Sequence, residues 1–118
     1  MPSKIKNEYG TVTVDNEVIA RIAGMAAMEC KGVAGMAAIN VRDGLVQLLK
    51  RESLTKGIHL IFNEETLVID LHIIVEYGSN INAVADSLMR TVKQSVEERV
   101  GQPVEKVNVF VEGVRTDH

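Results

Sequence analysis

At 118 residues the chain has room for one hydrophobic core and too little for two. Apolar residues make up 46% and aromatic residues 3%, so the core must be aliphatic, and a formal net charge of −3 argues against a broad phosphate-binding surface and so disfavours nucleic acid. Cys30 is the only cysteine, which excludes an intrachain disulfide and a multi-cysteine metal site and points to a reducing cytoplasm.

In chain order, residues 1–8 are polar, lack the apolar run of a signal peptide, and read as a tail. No stretch approaches the roughly 20 apolar residues of a membrane span, so membrane association is expected only through a partner. Tyr9 to Val14 (YGTVTV) reads as a short strand with Val12 and Val14 inward. Asp15 suits a helix N-cap, and Val18, Ile19, Ile22, Ala23, Ala26 and Cys30 then recur at three-and-four spacing. Gly32 is expected to end that helix in the left-handed C′ position, with Val33 making the contact that accompanies such a cap. In GMAAINVRDGLVQLLKRESLTKG, Asp43 suits the cap of a short helix carrying Leu45, Leu48 and Leu49, and Asn40 to Arg42 reads as a loop or a short extended piece.

From Gly57 a strand signal returns, with Ile58, Leu60 and Phe62 alternating against His59 and Ile61. It is followed by the longest period-two run in the chain, LVIDLHIIVEYG, whose Leu67, Ile69, Leu71, Ile73, Val75 and Tyr77 share one side. Parity predicts a hairpin in which Phe62 faces Leu67, Leu60 faces Ile69 and Ile58 faces Leu71. Ser79 or Asn80 then caps a long helix with an apolar stripe through Ile81, Val84, Ala85, Leu88, Val92, Val96 and Val100, terminated by Gly101 and Pro103. A last strand follows from Val104 to Val111, and residues 115–118 form a second tail. The expected fold is α+β over residues 9–114: a two-layer sandwich of order β, α, short helix or loop, β, β, α, β, in the manner of a split βαβ unit.

Chemistry is sparse. No GxSxG, HExxH, Walker or dinucleotide fingerprint is present, and Cys30 on the apolar side of a helix C-terminus reads as a core residue, so no enzyme and no cofactor is expected. His59, Asp70 and His72 fall on the sheet face away from the helices. Two imidazoles and a carboxylate could hold a divalent metal there, against the plainer reading of a polar sheet face. Gly32 to Gly35, with Lys31 beside it, matches the GxxG of an RNA-clamping loop between two helices, against the plainer reading of a helix cap. Ile61, Val68, Ile74 and Phe110 also point away from the helices and mark an expected interaction surface.

The segments TVTVDNEVIARIAGMAAMECKGVAGM, VEYGSNI, VKQSVEERVG and PVEKVNVFVEGV, in this order, resemble the alkaline shock protein family of the Gram-positive cell-envelope stress response. The resemblance implies a non-enzymatic cytoplasmic protein that self-associates and can be held near the membrane by a separate anchoring protein. It also implies, as an alternative, an accessory role toward a lipid-metabolism enzyme. The function expected from the resemblance is a self-associating or partner-binding scaffold, and the competing class is an RNA-binding module of KH type.

Overall fold

The computed structural model describes residues 3–39, 44–49 and 51–116. Strands β1 (Ser3–Asn7) and β2 (Gly10–Val14) form a two-stranded hairpin, followed by helix α1 (Asn16–Met28). Strands β3 (Val33–Ile39) and β4 (Val46–Leu48), a 3₁₀ segment (Arg51–Gly57), β5 (Ile58–Asn63) and β6 (Thr66–Glu76) come next, then helix α2 (Ile81–Val100) and β7 (Val104–Arg115). The fold is α+β, and α1, β5, β6, α2 and β7 come in the expected order.

Strand β6 is the axis of a five-stranded sheet. β7 runs parallel to it along one edge from Leu67 to Glu76. On the other edge β5 pairs with its first half and β3 with its second half, both antiparallel, and β4 extends the sheet beyond β3. The hairpin register is the one that parity predicts: Phe62 pairs with Leu67, Leu60 with Ile69 and Ile58 with Leu71. The connection β6–α2–β7 is a parallel strand–helix–strand unit, which requires a crossover of this length.

Both helices lie on one sheet face and pack against each other there. Ile19, Ala23 and Ala27 of α1 and Leu88, Val92 and Val96 of α2 close over Leu67, Ile69, Leu71, Ile73 and Val75, all buried in a continuous aliphatic core. The helix ends are chemically set. Asp15 accepts from the Glu17 amide, Asn80 accepts from the Ala83 amide at 3.2 Å, and Gly101 is the left-handed C-cap of α2. The corner after α2 is tied down by Glu97, whose carboxylate accepts from the Val104 amide at 2.9 Å, and by the buried Gln102, which donates to the Glu65 carbonyl at 2.9 Å.

Three expectations are corrected. The strand expected at Tyr9 to Val14 pairs with β1, inside the supposed tail, and stands outside the main sheet with Val12 exposed. The short helix expected to carry Leu45, Leu48 and Leu49 is replaced by strand β4 and the 3₁₀ segment, while its proposed cap, Asp43, lies outside the described residues. Helix α1 stops at Met28, so Gly32 is not its C′ residue; it takes a positive φ of 94° in the turn leading into β3. Cys30, just beyond the helix end, is a buried core residue as expected, its thiol against the Ala26 carbonyl oxygen.

Candidate functional site

The sheet face away from the helices collects the polar and apolar residues singled out in the sequence. His59 pairs with Asp70 across the hairpin, and β7 brings Asn108 beside Asp70 and Phe110 beside His72. The side chains pair differently from the backbone. Asn108 Nδ2 donates to Asp70 Oδ1 at 2.9 Å, so Asp70 is held by the neighbouring strand and not by a histidine. His72 stacks on Phe110 with ring centroids 4.8 Å apart and an interplanar angle of 13°, and the edge contact with His59 is at 5.2 Å. His72 Nδ1 donates to Glu112 Oε2 at 2.6 Å, which fixes the ring's orientation.

The three residues weighed as metal ligands are therefore split between two contacts. Among the described residues no group of three or more His, Cys, Asp or Glu side chains is placed to hold a metal ion. Alternation from Asn108 and Phe110 already places Glu112 on this face, but its pairing with His72 follows only from β7 lying beside β6, which the sequence pattern does not give.

The four apolar residues also divide. Ile61 is 46% exposed and Phe110 43% exposed, whereas Val68 and Ile74 are buried. Val68 lies between Ile61 and Lys106 in register. Ile74 has Gly35 and Gly113 as its register neighbours, and Leu48 of β4 reaches over Gly35, its Cδ1 2.7 Å from where a Cβ would stand. The part of the expected interaction surface carried by Val68 and Ile74 is thus closed within the chain. The accessible part is Ile61 and Phe110, flanking a polar centre whose members bond to one another.

Lys31, Gly32 and Gly35 do not form a loop between two helices. Val33 and Gly35 belong to β3 and pair with β6, so the backbone is already committed to the sheet, and the geometric basis of the GxxG reading is absent. Lys31 and Gly32 instead border a shallow hollow with Ser79, Asn80 and Ser87 at the start of α2. A further cavity of about 260 Å³ lies between Met25, Met28, Leu48, Leu49 and Leu54, with Glu29 at its wall.

No helix among the described residues is long and apolar enough to cross a membrane. The solved structure MamM-CTD is similar in fold, with a TM-score of 0.53 at 16% identity, covering 86% of this chain and 100% of that one. Over 116 residues the chain is 40% identical to the uncharacterized protein YloU of Bacillus subtilis, covering 98% of this chain and 97% of that protein. It is 29% identical to a stress response regulator gls24 homolog of Streptococcus pyogenes, covering 91% of this chain and 60% of the relative. Residues 4–116 match the model of the Asp-23 family, whose description is a cell envelope-related function, and the chain belongs to that alkaline shock protein family.

Proposed function

We propose that this protein is a non-enzymatic component of the cell-envelope stress response that works as a self-associating or partner-binding scaffold. In this reading it acts in the cytoplasm, held near the membrane by a separate anchoring protein. The supporting observation is the sheet face away from the two helices, where Ile61 and Phe110 stand exposed on either side of an internally bonded polar centre. Desolvating a polar group is costly only when it loses its hydrogen bonds. Asp70 keeps Asn108 and His72 keeps Glu112 when the face is covered, so burial there gains apolar contact while stranding few polar atoms. Aromatic and aliphatic anchors around a satisfied polar centre are what a protein-binding surface needs, whereas a catalytic site needs an activated group with room for a substrate.

The test is a paired lysine substitution, Ile61→Lys with Phe110→Lys, followed by light scattering and circular dichroism. The reading expects native spectra with loss of assembly or of partner capture. Native spectra with assembly and capture both undiminished contradict it.

A further inference from the structure

We infer that the outer edge of β7 is a docking strand for a second copy of this chain, paired antiparallel about a two-fold axis at Val109. The inference rests on the self-association proposed above and adds to the open face a second contact, at an edge of the sheet.

Strand β7 spans twelve residues and is bonded through one edge only, to β6. Among the described residues no strand pairs with its other edge, which presents a row of backbone donors and acceptors. Such an edge recruits another strand unless charges, proline or a bulge blunt it. Here the central run, Val107 to Val111 (VNVFV), is uncharged, free of proline and rich in β-branched residues, and both register shifts of β7 lie outside it.

The residues also fit their own copy. With Val109 on the axis, Lys106 of one copy stands opposite Glu112 of the other, Val107 opposite Val111, Asn108 opposite Phe110, and Val104 opposite Val114. Lys106 pairs in register with Val68 and so lies on the open face, where Glu112 also points; an opposite-charge cross-strand pair then forms twice per dimer. Glu112 gives one carboxylate oxygen to His72, and its other oxygen is available to Lys106. Moving the axis by one residue, to Asn108, sets Lys106 against Phe110 and Glu112 against Val104, which opposes charges to apolar groups.

Burial supplies a third argument. Helix α2 covers the start of β7, where Val104 and Val107 are buried, but toward the end of the strand Val111 is 36% and Val114 49% exposed although their register partners, Ile73 and Val75, face the core. The two-fold register lays each exposed valine beside a buried one of the other copy, so the aliphatic layer continues across the junction. The same half-covered strand thus supplies both the missing cover and the need for it.

Charge reversal tests this directly. Lys106→Glu or Glu112→Lys alone places like charges opposite each other twice and should raise the dimer dissociation constant about tenfold. The combined variant restores opposite charges and should recover most of the affinity, measured by analytical ultracentrifugation on samples with native circular dichroism. A Cys30→Ala, Val109→Cys variant should also give a disulfide-linked dimer under mild oxidation, because residues at the axis face each other directly. Recovery in the double reversal together with the cross-link supports the edge register. Weakening in both single variants without recovery in the double one, or absence of the cross-link in a folded dimer, overturns it. If Ile61→Lys dissociates the assembly and the charge reversals do not, the edge register fails while the open-face reading stands; the opposite pattern keeps the edge and removes the face. A wild-type chain that stays monomeric up to its solubility limit overturns the edge register as well.

Discussion

Gly57 and Ala37 approach so closely that a Cβ on Gly57 would lie 2.7 Å from the Ala37 carbonyl oxygen and 3.3 Å from that of His72. The approach follows from the topology, because β3 and β5 share one edge of β6 and the 3₁₀ segment must thread the chain between them. A backbone oxygen cannot swing away as a side chain can. Gly57→Ala should therefore destabilise the fold by about 2 kcal/mol or more, since overpacking against main chain leaves no cheap relaxation. A urea denaturation midpoint equal to that of the wild type would show that β3 and β5 do not meet in this way.

Gly32 is constrained differently. Its φ of 94° suits glycine, and a Cβ there would stand 2.5 Å from Val84 Cγ2 on α2. Gly32→Val should lower the melting temperature by on the order of 10 °C, combining backbone strain with the clash. Shrinking the neighbour in Gly32→Ala with Val84→Ala should relieve the clash but not the strain, leaving a smaller loss than the two single losses summed. Strict additivity in thermal melts would mean the two residues do not touch.

Leu71 at the middle of β6 and Leu88 on α2 are both fully buried in the core. Leu71→Ala or Leu88→Ala should each cost about 2 to 5 kcal/mol through lost transfer energy and the cavity left behind. Chemical denaturation reads the cost, and an unchanged midpoint in either variant would contradict the assignment of faces.

The carboxamide of Asn80 accepts from the Ala83 amide at 3.2 Å at the start of α2. Asn80→Ala should cost about 1 kcal/mol and Asn80→Ser much less, because a hydroxyl can also cap. Equal losses in the two variants, measured by thermal melting, would deny the cap its role.

These elements also show where the sequence was readable. The β5–β6 register was legible because Asn63 to Thr66 forms a tight connection, so parity alone decides which residues face each other. Helix α2 was legible because its cap, its stripe and Gly101 all agree. Strand β3 was missed because VAGMAAI is mostly alanine, glycine and methionine, which favour helices or nothing; pairing with β6 on one side and β4 on the other overrides that preference. Strand β1 was hidden in a segment that alternates with lysines. At the site, the sequence placed His59, Asp70 and His72 on one face, yet the pairing of Asp70 with Asn108 and of His72 with Glu112 depends on β7 lying next to β6. Ile74 is buried between Gly35 and Gly113, and Leu48 lies over that Gly35 from β4, a strand that the sequence pattern reads as a helix.

The scaffold reading turns on whether the open sheet face makes contacts in solution. Sedimentation velocity on the wild type and on Ile61→Lys with Phe110→Lys, at matched concentration and with circular dichroism on each, is the most direct measurement. The account predicts an assembled wild type and a folded variant that sediments as a smaller species, no larger than the edge-paired dimer; a folded variant that sediments with the wild-type assembly would contradict it.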